Sequence, residues 1–248
     1  MEKLKVVGVI PARYASTRFP GKPLVMIGGK PMIRRVYERV SEVLDTVVVA
    51  TDDERIAEAV AGFGGNVVLT RPDHPSGTDR CYEACTLLDQ EYDLVVNIQG
   101  DEPFIHPSQI EALIACFDSE EVEIATLVRK ITSDDGTEFL KSPNHPKVVM
   151  NSRGDALLFS RSVVPFLRGV SEDAYLQEGD FYAHIGIYAF RWQVLKEVVQ
   201  LAPSRLEKAE SLEQLRWLEN GYTIRCGITT HRSIGIDTPE DLEKLKLD

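Results

Sequence analysis

Apolar positions along the first half of the chain follow two rhythms. Residues 4–10, 45–51 (DTVVVAT), 66–70 (NVVLT) and 93–100 (DLVVNIQG) are short, nearly continuous runs rich in Val and Ile, of strand length. Between them, 31–44, 52–64, 76–90 and 106–118 place apolar residues at helical spacing. Pro31 suits the first turn of its helix, and the glycines after residue 61 close the second one. Apolar strands alternating with helices predict a parallel sheet covered on both faces. In such sheets ligands bind in the loops beyond the carboxyl ends of the strands. Two loops of unusual composition lie there, 11–24 and 99–103 (QGDEP).

The rhythm changes after about residue 120. Residues 123–130, 147–160 and 181–190 are strand-like, and a polar stretch, 132–146, separates the first two. This part reads as a β-rich insertion. A long helical pattern at 204–221 ends in glycine, strand-like runs follow at 222–228 and 232–236, and a last helix starts at Thr238. No repeat, low-complexity tract or linker interrupts the chain. The expectation is one α/β domain over 1–248, in three parts: 1–120, roughly 121–200 and 201–248.

Composition narrows the function. The 248 residues are 43% hydrophobic, ordinary for a globular protein, and no apolar run approaches the roughly 20 residues of a membrane helix. The first residues lack the longer apolar stretch of a signal peptide, so a cytoplasmic protein without membrane insertion is expected. Of the four cysteines only Cys81 and Cys85 are close, one helical turn apart, and no second pair completes a zinc site. They read as ordinary thiols in a reducing compartment. The net charge of −11 speaks against a nucleic-acid partner. Yet residues 3–37 hold eight Lys or Arg and no Asp or Glu. Such a stretch is either scattered surface charge or a local site for a small anion.

The loop at 11–24 favours the second reading. Pro11, Pro20 and Pro23 restrict its backbone, Gly21 allows close approach, and Arg13, Arg18 and Lys22 are placed to converge on phosphates. The better-known phosphate loops are missing. There is no GxxxxGK[ST], and GFGGNV at 62–67 follows a helix and precedes a strand, which suits a helix C-cap. No D-x-D exists either, which weakens the case for a metal-dependent glycosyltransferase.

IPARYASTRFPGKPL (10–24) resembles the opening of the sugar cytidylyltransferases, which join CTP to an acidic sugar. SGTDR (76–80), NIQGDEPFI (97–105), FSRSVVPF (159–166), HIGIYAF (184–190), LEQLRWLENG (212–221) and IGIDTPEDL (234–242) extend the likeness over essentially the whole chain. The segments at 159, 184 and 212 point to the branch that activates 3-deoxy-D-manno-octulosonate (Kdo) for lipopolysaccharide synthesis. The resemblance implies a three-layer, mainly parallel fold of the nucleotide-diphospho-sugar transferase type. Residues 1–120 would bind nucleotide, the insertion would serve sugar binding and dimerisation, and 201–248 would close the domain with a metal ligand. It further implies transfer of CMP from CTP to the anomeric hydroxyl of Kdo with release of pyrophosphate, a bound Mg²⁺ and a homodimer. Alternatives are a related acidic sugar (8-amino-Kdo or an N-acylneuraminate), another base or sugar-1-phosphate, or a nucleotide-binding protein without turnover.

By the same resemblance, Arg13, Ser16, Arg18 and Lys22 hold the triphosphate, and Asp101 and Asp237 ligate the metal. Arg13, Lys22 and the two aspartates form the catalytic set. Ser76, Arg80 and Gln99 contact the nucleotide. Arg161 pairs with the sugar carboxylate, and His184, Tyr188, Glu213 and Gln214 bind its hydroxyls. The residues alone allow plainer roles. SGTDR is also a turn and helix cap. DTPED is also a helix start, with Thr238 as cap, Pro239 in the first position and Asp241 three residues on. Leu212, Leu215 and Leu218 read as core. No side chain stands out as general base.

Overall fold

The structure, a computed structural model, describes residues 4–15, 19–232, 235–236 and 238–244. In chain order its elements are β1 (Val6–Ala12), a 3₁₀ turn (Lys22–Leu24), β2 (Met26–Ile27), β3 (Lys30–Pro31), α1 (Met32–Ser41), β4 (Thr46–Thr51), α2 (Glu54–Gly62), β5 (Val67–Leu69), α3 (Gly77–Thr86), β6 (Leu94–Asn97) and α4 (Pro107–Ala115). There follow β7 (Ile124–Ile131), α5 (Gly136–Lys141), β8 (Lys147–Met150), β9 (Ala156–Ser160), α6 (Tyr175–Glu178), β10 (Phe181–Arg191), α7 (Trp192–Val198), α8 (Arg205–Glu210), α9 (Gln214–Glu219), β11 (Ile224–Ile228) and α10 (Pro239–Lys244). The mainly parallel α/β architecture expected from the hydrophobic pattern is present.

The chain divides into two compact units: Met1–Glu111 with Ile187–Val199 and Ser233–Asp248, and Ala112–Gly186 with Gln200–Arg232. In the first, β1 lies between β4 and β6, β5 extends the sheet beyond β4, and all of these pairs are parallel. The last residues of β10 close the other edge antiparallel to β6, with Tyr188 opposite Asn97. The strands are buried on both faces, which is why they read as continuous Val/Ile runs. A parallel sheet sends every strand's carboxyl end to the same edge. The loops after β1, β4, β5 and β6 therefore leave together.

Helix ends in this unit follow local chemistry. Asp53 caps α2 by accepting from Arg55 N, and Gly64 beyond its end has φ +77°. Thr238 and Asp241 cap α10 reciprocally: Thr238 N donates to Asp241 Oδ2 at 3.1 Å, and Asp241 N to Thr238 Oγ1 at 3.3 Å.

In the second unit β7 pairs parallel with β11, while β8 pairs antiparallel with β9 and with the start of β10. Ile131, Leu140, Tyr175, Phe181 and Ala183 form a core cluster. The stretch expected to be polar connection, 132–146, contains α5, whose Leu140 is buried. The single helix expected at 204–221 is two. α8 ends at Ser211, which sits in the left-handed region at φ 51°, and α9 begins at Gln214. The break brings together two side chains that a continuous helix would hold apart. Arg216 donates to both oxygens of Glu207 (2.9 and 2.7 Å) and to Leu201 O. Nine residues apart on one continuous helix, the two side chains would lie about 13 Å apart along the axis and on opposite faces. Of the three leucines read as core, Leu212 and Leu215 are buried, and Leu218 is half-buried.

Candidate active site

The loop after β1 is shaped by its own sequence. Gly21, at φ +72°, begins the 3₁₀ turn, and its N–H donates to Tyr14 O at 2.9 Å. A Cβ there would meet the Tyr14 ring at about 3.1 Å, so the left-handed bend and the close contact both call for glycine. The turn aims Lys22 across the unit, and its Nζ donates to Asp101 Oδ2 at 2.7 Å. Asp101 lies in the loop after β6, which passes close to β1: a Cβ on Gly100 would stand 3.0 Å from Pro11 O. Ile236 N donates to Asp101 O at 2.9 Å, so the residue preceding Asp237 is fastened to the same loop. Asp237, Ser16 and Arg18 lie outside the described residues.

Arg13, exposed directly after β1, stands at the same edge. Gln99 is half-buried two residues before Asp101. Ser76 caps α3, accepting from Asp79 N at 3.2 Å and donating to Asp79 Oδ2 at 2.6 Å, the plainer role its motif allowed. Arg80 is only 3% exposed; its Nη1 donates to Thr70 Oγ1 at 2.7 Å and lies 3.1 Å from Asp52 Oδ1. Burial, the largest influence, and the nearby Arg13 push its pKa down, and Asp52 opposes them. Tyr188 is buried in the last part of β10. Among the described residues no group of three or more His, Cys, Asp or Glu side chains converges. The four cysteines are free thiols, and burial pushes Cys85 up to about 12.

In the second unit the predicted sugar residues meet a dense polar network. Arg161 Nε, Nη1 and Nη2 donate to the carbonyls of Glu210 (2.6 Å), Pro143 (2.7 Å) and Ser211 (3.2 Å). Glu210 in turn accepts from Ser160 Oγ and Arg161 N. Lys147, with no exposed surface, donates to Ser142 O and Arg161 O. Arg161 is thus first a strut between backbone segments, with two of its five N–H donors beyond these bonds. His184 Nε2 lies 3.0 Å from Thr126 Oγ1, and burial lowers its pKa to about 3, so the ring is neutral. Glu213 stands 3.6 Å from Arg216 Nη2. Gln214 is 4% exposed, and its Nε2 has no hydrogen-bond partner among the described residues. A buried donor in that state calls for an acceptor beyond those that the described residues supply.

A family model described as cytidylyltransferase matches residues 7–225. The chain belongs to the cytidylyltransferase family. Among its relatives, a 3-deoxy-manno-octulosonate cytidylyltransferase from Parabacteroides distasonis is 60% identical over 97% of this chain and 96% of its own. One of the same name from Bacteroides thetaiotaomicron is 58% identical, with the same coverage of both chains. A solved structure of CMP:2-keto-3-deoxy-manno-octonic acid synthetase complexed with CTP is 45% identical, covers 97% of this chain and 96% of its own, and superposes with a TM-score of 0.88. A cytidylyltransferase from Leptospira borgpetersenii, 17% identical with a TM-score of 0.63, shares the fold.

For a cytidylyltransferase, some polar positions of note were not singled out by the sequence. Asp52 and Thr70 hold Arg80; Lys147 and Glu210 hold Arg161. Asp53 caps α2, and nothing in the local sequence sets Asp52 apart beside it. A lysine opening a strand carries no local signal of burial.

Proposed function

We propose that the protein transfers CMP from CTP to the anomeric hydroxyl of 3-deoxy-D-manno-octulosonate, forming CMP-Kdo and pyrophosphate for lipopolysaccharide synthesis. The sugar oxygen attacks the α-phosphorus, the bond to the bridging oxygen of the β-phosphate breaks, and the hydroxyl proton passes to solvent. One observation carries the reading: Lys22 and Asp101, 79 residues apart, meet at 2.7 Å where β1 and β6 end. A cation and a carboxylate there suit a triphosphate and its counter-ion. The relatives of 58–60% identity bear the corresponding name.

Such a transfer is mostly positioning and charge neutralisation. Lys22, a mobile point charge, and Arg13, able to grip two oxygens, would hold the triphosphate with Ser16 and Arg18. Ser76, Arg80 and Gln99 would place the nucleoside. Arg161, His184, Tyr188, Glu213 and Gln214 would bind the sugar acid; His184, kept neutral by burial, brings no charge.

Magnesium fits the donor chemistry. It takes one or two carboxylates together with phosphate oxygens and water, so a site of this kind needs no cluster of protein ligands. Asp101 offers one carboxylate, and Asp237 follows the residue bonded to Asp101 O. These two would hold the ion, which when bound neutralises and orients the phosphates. A homodimer is the assembly we favour: Leu157 (60% exposed) and Leu158 (36%) lie on β9, which among the described residues pairs with β8 alone, and Phe166 is 77% exposed. The free thiols and a nucleotide substrate suit the cytoplasm. Among the described residues no helix is long and apolar enough to cross a membrane.

The test is pyrophosphate release by the purified protein with Mg²⁺, each nucleoside triphosphate, and Kdo, 8-amino-Kdo or N-acetylneuraminate. CTP with Kdo is expected to be the preferred pair. No release from that pair, or faster release with another sugar, would overturn the reading.

A further inference from the structure

Arg80 is held by two side chains from different loops at the strand ends. Thr70 follows β5 and Asp52 follows β4, and these strands are parallel neighbours with Thr51 beside Leu69. Both loops leave the same edge and reach the Arg80 Nη1, Thr70 at 2.7 Å and Asp52 at 3.1 Å. Asp52 Oδ1 is buried and makes no well-aligned hydrogen bond among the described residues, so its tie to Arg80 is that of an ion pair. It is not committed to the nearby helix, because Asp53 is the cap of α2.

A guanidinium carries five N–H donors in a rigid fork. Thr70 and Asp52 take up Nη1. For Nε and Nη2 no protein partner is present among the described residues, although the side chain is 3% exposed. That edge calls for two acceptors side by side. Cytosine has such a pair in O2 and N3. Uracil keeps O2 but carries hydrogen on N3, which would face an N–H donor.

We propose that Asp52, with Thr70, is a positioning residue that turns the Nε–Nη2 edge of Arg80 toward O2 and N3 of cytosine, and so sets selectivity for CTP over UTP. This rests on the CMP-transfer reading above and on Arg80 facing the base. Asp52 touches neither substrate; it acts through Arg80.

The experiment measures kcat/KM for CTP and for UTP, with Kdo and Mg²⁺, by pyrophosphate release. Asp52→Asn is expected to lower the CTP/UTP ratio about tenfold or more, since a site built on hydrogen bonds discriminates by such factors. The KM for Kdo and inhibition by tripolyphosphate should stay put, because the phosphate grip is separate. Thr70→Val should shift the ratio the same way by less, and serves alone if Asp52→Asn does not fold. In an Arg80→Lys background Asp52→Asn should add nothing. An unchanged ratio, rates with CTP and UTP falling in step, or full additivity with Arg80→Lys would overturn the proposal. If the wild-type protein releases no pyrophosphate from CTP and Kdo, the transfer reading fails by itself; calorimetric binding of CTP against UTP then decides the role of Asp52 by the same ratio.

Discussion

Replacing Lys147 by Met tests the polar network under the proposed sugar residues. The Lys147 side chain has no exposed surface, and its Nζ donates to Ser142 O at 2.9 Å and Arg161 O at 2.8 Å. Burial is the main cause that pulls its pKa from 10.5 down to about 8; Glu210 pulls back up, and Arg161 pushes further down. Between these two values the unfolded chain still holds the proton while the folded protein has released it. The unfolded state then binds more protons, so this group makes stability rise with pH from about 8 to 10.5. Below that window both states are charged and the full penalty of the buried ammonium applies. Above it the penalty is gone. The gap of roughly 2.5 units, at about 1.4 kcal/mol each, corresponds to about 3 kcal/mol. Met keeps the length and removes the titration, but leaves two carbonyls without their donor, about 1–3 kcal/mol each. Near pH 7 the loss of a desolvated charge offsets much of this, so the variant should fold. The assay is urea unfolding followed by tryptophan fluorescence at several pH values between 7 and 10.5, read as wild type minus variant, which cancels every other titration. That difference should grow by about 2–3 kcal/mol in favour of wild type across the window. A difference that stays flat would refute the account of a charged, desolvated lysine.

Asp101→Asn should leave stability within about 1 kcal/mol, because its pair with Lys22 is partly exposed, yet cut turnover about 10²- to 10³-fold. A near-normal rate at saturating Mg²⁺, in the same pyrophosphate assay, would remove Asp101 from the metal site. Gln214→Met should not lower the melting temperature, since it removes a buried donor that has no partner among the described residues, while raising the KM for Kdo about tenfold. A variant that melts earlier with an unchanged KM would make Gln214 structural.

Much of this protein was written in local order. The Val/Ile runs of β1, β4 and β6 have to be buried on both faces, and that alone implies a parallel sheet with helices on either side and loops gathered at one edge. The cap at Thr238 and Asp241 and the stop at Gly64 depend on a few neighbouring residues, and both stand where the sequence put them. The cations of the first loop were visible because a stretch free of acids stands out against a chain of net charge −11. The partners of those cations were not. Lys22 finds Asp101 across 79 residues, and Arg161 N finds Glu210 across 49. Arg216 reaches Glu207 only because the expected long helix breaks at Ser211. Asp52 lies hidden beside a cap it does not form. Periodicity records which face of an element is buried, because each residue feels its own turn or strand. A polar contact between distant loops has no period, and only the packing of the elements that carry those loops decides which charge meets which.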